Sequence, residues 1–262
     1  MPTATYTLGT CTRPSIRHDN GFLDKFARRA PTVQDHLMKQ WWVGKLEAAE
    51  AAQDVPFLPH NDISDALAAY RHFLEGGGRQ RTFSYDRYVA NDPSGRTALR
   101  SALFDVQIGA WELLMRHYLD KDTVSFEMTG SAIAVGSGSV FPYPATENWQ
   151  KAIGGHVIWL CAKVSVQRQA NGQTRFAMDL TLHAEDMYNF NPGAKDIATG
   201  IPDEANGVFE LTGLGQQYLN VATLRRHVVW SGRPDASGVA AAKGGPWRDR
   251  QPSDNRRLRN RL

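Results

Sequence analysis

The densest group of reactive side chains is the run His183-Ala-Glu185-Asp186-Met-Tyr188-Asn189-Phe-Asn191-Pro-Gly193. It places an imidazole, two carboxylates and a phenol within a few residues of one another. Those types suffice for proton transfer to and from a substrate, or for holding a hard cation such as Mg2+ through oxygen. In extended chain alternate residues share a face, which sets Asp186 with Tyr188 and His183 with Glu185. Asp, Asn, Pro and Gly at a strand end also build ordinary turns, with carboxylates and amides bonded to backbone, and both readings stand at this level. Neither His72 nor His117 has a second histidine at metal-pair spacing, so no zinc site is expected. Each falls near a helix end, where the dipole favours a cation. Gly76-Gly77-Gly78 lacks the lysine-serine pair of a phosphate-binding loop and reads as a helix stop. No Gly-x-Ser-x-Gly nucleophile elbow occurs.

The elements that carry these side chains follow from periodicity. Thr32 is placed to cap a helix running to about Gln53. Val33, Leu37, Trp41 and Lys45 fall on one of its faces, which the adjacent Trp42 cannot share. A second helix is predicted from about Ile63 to Glu75, capped by Asp62 or Ser64, with Leu67, Tyr70 or Arg71, and Leu74 inward. A third, from Ser94 to about Leu119, carries Leu99, Leu103, Val106, Ala110, Leu113 and Leu114. The period then changes from helical to two: Val124, Phe126 and Met128 alternate with polar residues. His156 to Val166 reads as a buried strand, Asn171-Gly172 as its hairpin turn, and Phe176, Met178, Leu180 and Leu182 as the inward face of the partner strand. A second Asn-Gly pair, Asn206-Gly207, precedes Val208-Phe209-Glu210-Leu211, and Leu224 to Trp230 makes the last strand. The opening 30 residues have weak periodicity and read as a loose lead-in. The whole is an α+β pattern, a helical front packed on a mainly antiparallel sheet. Its expected divisions are a helical lead-in (1–60), an α+β body (61–232) and a disordered basic tail (233–262).

Composition narrows the classes. The chain of 262 residues is 42% hydrophobic and 22% charged, an ordinary globular balance. From Ser231 to Leu262 eight basic residues face three acids, a net of +5 that leaves residues 1–230 at −2 against +3 for the whole. The body is therefore not a basic nucleic-acid binder, whereas the tail can touch anionic head groups or an acidic partner. No stretch approaches the roughly 18 apolar residues of a membrane span, and no signal peptide is visible. Two cysteines make no disulfide framework and no cysteine-rich zinc site. Cys161, inside the apolar run Val157-Ile-Trp-Leu-Cys161, reads as a small buried hydrophobe.

Asp186-Met-Tyr188-Asn189 resembles the Asp-x-Tyr-Asp motif of the colicin M-like bacteriocins. The helix end Ala69 to Gly78, the helices after it and the hairpin that ends in the motif extend the likeness over residues 62–230. The resemblance implies a colicin M-like sheet or open barrel. It implies a toxin that hydrolyses lipid II, the undecaprenyl-linked peptidoglycan precursor, between lipid and pyrophosphate, with Mg2+. By the same resemblance Asp186 is the leading catalytic carboxylate and metal ligand, and Tyr188 its neighbour. The motif's second acid is Asn189 here, an amide that serves neither as base nor as charged ligand. The histidine-arginine pair expected a few residues later is replaced by Asn191-Pro-Gly-Ala-Lys195-Asp196. Lys195 and Asp196 are one source of the missing charge and carboxylate; Arg225, Arg226 and His227 on the last strand are another, and His183 is a further candidate for the site.

The implied partners are a lipid-linked cell-wall precursor, a membrane surface and a cognate immunity protein. With about 60 residues ahead of the resembling region, delivery into the periplasm of a target bacterium by a secretion-system carrier, such as type VI, is expected. Two other classes remain open. One is a pore-forming toxin that uses the Ser94–Leu119 helix at a bilayer. The other is a non-enzymatic sugar-binding module that uses the same strand-end loop. Phe141, Tyr143 and Trp149 offer an aromatic wall for a sugar or lipid chain, or ordinary core and loop packing.

Overall fold

The computed structural model describes residues 2–55, 61–136, 138 and 140–235. The basic tail expected from residue 233 falls almost entirely outside the described residues, as does most of the proline-punctuated loop after Val55. The order is β1 (Tyr6–Leu8), α1 (Phe22–Lys25), α2 (Val33–Gln53), α3 (Ser64–Glu75), β2 (Arg81–Thr82), α4 (Tyr85–Asn91) and α5 (Pro93–His117). Then come β3 (Thr123–Gly130), β4 (Ile133–Val135), α6 (Glu147–Ala152), β5 (His156–Arg168), β6 (Thr174–Tyr188), α7 (Glu204–Thr212) and β7 (Tyr218–Ser231).

The sheet runs β1-β3-β5-β6-β7-β2 and is open; β4 pairs with β5 beyond the end of β3. Every pairing is antiparallel except β2 with β7. The α+β expectation holds. The inward face is the even-numbered one: Phe176, Met178, Leu180 and Leu182 of β6 stand beside Leu160, Ala162 and Val164 of β5 and Leu224 of β7. That face buries against α5, whose Ala98, Ala102, Val106 and Ala110 are fully enclosed. Small residues on this helix let the sheet approach closely. Asp92 starts α5: its Oδ1 accepts from Ser94 N at 2.7 Å, while its Oδ2 accepts from the amide and hydroxyl of Thr146 at 2.8 and 2.7 Å. One buried carboxylate thus joins a helix N-terminus to the start of α6.

Four expectations are corrected. The face of α2 carrying Val33, Leu37 and Trp41 points outward, with exposures of 77%, 55% and 52%, and Leu46 is buried instead. Asn206-Gly207 opens no hairpin but lies in α7, where a Cβ at Gly207 would enter the Phe22 ring. Cys11 and Cys161 form a disulfide, 150 residues apart in sequence, because the opening segment returns to β5. That segment is not loose: Asp105 of α5 accepts from the backbone of Thr3 and Ala4 and from Tyr6 Oη, and β1 pairs with β3. Weak periodicity in residues 1–30 reflects a segment fixed by polar contacts rather than by an apolar stripe.

Candidate functional site

The last turn of β6 carries the reactive run. The alternation predicted from sequence is present: Asp186 and Tyr188 continue the inward face, His183 and Glu185 the outer one. Past Ala184 this face meets α3 and α6, where Tyr218 Oη donates to the Ala69 carbonyl and Asn220 Nδ2 to the Ala152 carbonyl, and it borders a cavity of about 850 Å3. Asp186 and Tyr188 line it, opposite Asn220 and Tyr218 of β7 in the strand register. The Tyr188 and Tyr218 rings stack at 5.0 Å and 11°. This fixes the phenol's direction, and burial raises its pKa, so it remains a proton donor.

Burial, with the charge of Asp19 added, pushes the Asp186 carboxyl well above the ordinary carboxylate range. Among the described residues no donor or cation is bonded to it. Asp19 comes from the opening segment and is held by Asn189, whose Nδ2 donates to Asp19 Oδ1 at 2.9 Å and to its backbone oxygen at 3.0 Å. Asn189 therefore does what an amide can do: it presents a carboxylate rather than being one. Asp203 lies on the same cavity wall, its pKa also raised by burial, and its Oδ2 accepts from Asn191 N at 2.9 Å. Behind them Glu210 is 2% exposed; Oε1 accepts from Phe190 N at 2.9 Å and Oε2 has no hydrogen-bond partner among the described residues. Burial raises Glu210 to about 7, with Asp203 and Asp19 adding to the shift.

Asp186, Asp203 and Glu210 thus stand at this strand end as carboxyl groups raised chiefly by burial. Carboxyl oxygens are the ligand type that a hard divalent cation takes, and a retained proton competes with it. Among the described residues no three carboxyl groups of this region converge closely enough to share one ion; the trio that does is Cys11, Cys161 and His183.

The remaining predicted residues divide. Lys195 and Asp196 line the cavity, but Asp196 is committed to its own loop. Its Oδ1 accepts from Thr199 N and Oγ1, and its Oδ2 meets Lys151 Nζ at 3.0 Å. Lys151, which the sequence did not single out, is a further cation in this lining. It also meets Glu147 at 2.6 Å. His183 does not join Asp186. It stands on the outer face, stacked on Trp159 at 4.9 Å, with Nε2 3.4 Å from Cys11 Sγ. Neither do Arg226 and His227 reach the cavity. They pair across the sheet with Leu180 and Asp179, six or seven residues along β6 from Asp186, which is roughly 20 Å at the rise of a strand. His227 Nδ1 bonds Asp179 at 2.8 Å and Arg226 Nη2 bonds Asp86 at 2.6 Å. Arg225 lies opposite Thr181, five residues along β6 from Asp186. His72 bonds the Arg79 carbonyl at 2.6 Å and has no part in the site. Of the aromatic trio, Phe141 and Trp149 are in the core and only Tyr143 faces the cavity.

α2 and α3 add an apolar part to the lining, with Trp42, Leu46, Ala49, Ala66, Leu67 and Tyr70, beside the charged Lys45. Tyr70 Oη donates to Asn206 Oδ1 at 2.5 Å, which keeps its ring edge turned to the cavity.

No family model and no curated protein matches the chain. Among solved structures, that of PaeM, a colicin M-like bacteriocin produced by Pseudomonas aeruginosa, aligns at a TM-score of 0.40 and 15% identity, covering 71% of this chain and 63% of its own. A truncated bacteriocin, syringacin M from Pseudomonas syringae, aligns at 0.34 and 16%, covering 68% and 66%. The chain spans just under two thirds of each of these solved chains.

Proposed function

We propose that the chain is an antibacterial toxin that hydrolyses a lipid-linked, pyrophosphate-bearing cell-wall precursor of the lipid II type in the periplasm of a target bacterium. The observation that carries this reading is the mixed lining of the cavity. Asp186, Asp19 and Lys151 supply a polar part, and Trp42, Leu46, Leu67 and Tyr70 an apolar one. A substrate with a charged diphosphate joined to a long hydrocarbon matches that mixture, and a free sugar phosphate does not use the apolar part. The motif resemblance at Asp186 to Asn189 points to the same substrate class.

Bound Mg2+ would neutralise diphosphate oxygens and weaken the bond to the lipid. Asp186 and Asp19 would hold it, and Lys151 would add positive charge in the same lining. Asp186, once ionised, would be placed to accept a proton from the attacking water. Tyr188 donates a hydrogen bond to a phosphate oxygen. Tyr70 and Trp42 orient the first isoprene units and exclude water from the scissile bond.

The pore-forming alternative is disfavoured by one observation. The helix it requires, α5, has thirteen buried residues and is the core's central element, and among the described residues no helix is long and apolar enough to cross a membrane. A cognate immunity protein and a secretion carrier remain part of the proposal. The test is periplasmic expression of wild type beside Asp186→Ala, with release of the pyrophosphoryl product from purified lipid II followed in vitro. Toxicity and product release should both be lost while the circular dichroism spectrum is kept; equal toxicity of the two chains sinks the enzyme reading.

A further inference from the structure

Residues 11–20 contain no helix or strand, yet they run from the outer face of β5 to the turn after β6. Side chains fasten them at a few points. Cys11 is bonded to Cys161. Arg13 Nε and His18 Nε2 each lie 2.8 Å from the Glu185 carboxylate. Asn189 grips Asp19. Gly21 (φ +54) then passes so close to Phe190 that a Cβ would strike its carbonyl oxygen. Most of the strap is exposed, so little apolar burial holds it, and a segment of that kind opens readily once a fastening is removed.

We propose that the Cys11–Cys161 bond is a redox latch that completes the cavity: with the bond formed, Asp19 is held facing Asp186, and with it reduced, the strap lifts and takes Asp19 away. The proposal rests on the reading of the Asp186 cavity as the functional site. Such bonds persist in oxidising compartments and are reduced in a glutathione-rich cytosol, so the chain would carry an incomplete site in a reducing cytosol and a complete one outside it. The oxidant is a small-molecule or protein disulfide. The Cys11 thiolate attacks one of its sulfurs and expels a thiolate. Cys161 then attacks Cys11 in the mixed disulfide and expels the second. Two electrons pass to the oxidant, and the two protein thiol protons end on its released thiolates. The His183 imidazole stands at Cys11 to take the first proton. Burial and the nearby Arg225 charge lower its pKa and keep it neutral for that task. This gives His183 a part in latch formation rather than in hydrolysis.

The full chain decides the matter in oxidised form, after reduction with a phosphine, and as Cys11→Ser. Amide hydrogen exchange over residues 12–21, the Asn189 side-chain amide signal and the affinity for Mg2+ alone are compared. Reduction and Cys11→Ser should each speed exchange in the strap by about tenfold or more and shift the Asn189 amide signal, with amides of β5, β6 and β7 unchanged. Mg2+ affinity should fall about tenfold or more, and Asp19→Asn in the oxidised chain should reproduce that fall without freeing the strap. Unchanged strap exchange on reduction overturns the latch. Loss of protection throughout the sheet also overturns it, because the bond is then a staple of the whole fold. If the oxidised wild type binds no Mg2+, the cation part of the functional reading fails, and the exchange pattern and the Asn189 signal alone decide the latch.

Discussion

Asn189 and Asp19, 170 residues apart in sequence, are joined by a 2.9 Å bond from an amide to a carboxylate. In the resembled motif the position of Asn189 is acidic. Here an amide stands at that position and holds a carboxylate from the opening segment.

This relationship sets the outcome of Asn189→Asp, the change that appears from sequence alone to restore the motif. It removes the donor to Asp19 and adds a like charge against it, so activity should fall by about tenfold or more rather than rise. Asn189→Ala should lose a similar amount, and the pair should be indistinguishable in an Asp19→Ala background. A gain in lipid II turnover by Asn189→Asp counts against the assignment of Asp19.

Asp186→Asn is close in shape and removes a carboxyl that burial and Asp19 already hold protonated. Turnover should drop about 100- to 10,000-fold, while stability in urea should stay within about 1 kcal/mol of wild type. A variant that is inactive because it unfolds would show an early urea midpoint.

Two buried groups set opposed pH dependences. His156, bonded to Tyr85 Oη and the Gly154 carbonyl, is lowered by burial to about 4. The unfolded chain therefore takes up the proton first, and stability is lost as pH falls from about 6.5 towards 4, by about 3 kcal/mol at most. Glu210 is raised to about 7. The unfolded chain ionises first there, and stability is lost as pH climbs from about 4.5 towards 7, again by about 3 kcal/mol at most. The two slopes offset between pH 4.5 and 6.5. Urea melts of Glu210→Gln across pH 4 to 8 should show stability rising with pH, and those of His156→Gln should show it falling. Parallel curves for both variants and wild type refute the assignment.

Gly207 packs its bare backbone on Phe22, the first residue of α1 beyond the strap. Gly207→Ala should cost about 1–3 kcal/mol through overpacking and raise proteolytic cleavage near residue 22. Phe22→Ala should relieve the clash, so the double variant should lose less stability than the two single changes sum to.

The sequence by itself determined the helices α2, α3 and α5, the long hairpin of β5 and β6 with its inward residues, and the pairing of Asp186 with Tyr188 on one face. Each rests on local rules: caps, the 3.6 and 2.0 periods, and the Asn-Gly turn. The segment it singled out lines the cavity, and a strand end rich in carboxylate and phenol is dense in reactive groups wherever it folds. It could not decide which other side chains would reach that strand end. His183 and Asp186 are three apart and so face opposite sides, whereas Arg226 and His227 lie far along β7 because register, not sequence proximity, sets distance across a sheet. Asp19, Lys151 and the Cys11–Cys161 bond came from segments without periodic signal, brought in by polar contacts whose partners are up to 170 residues away. Local rules carry no information about such partners; only the closed tertiary arrangement, which makes the strap cross the end of β6, gives the buried carboxylate its companion.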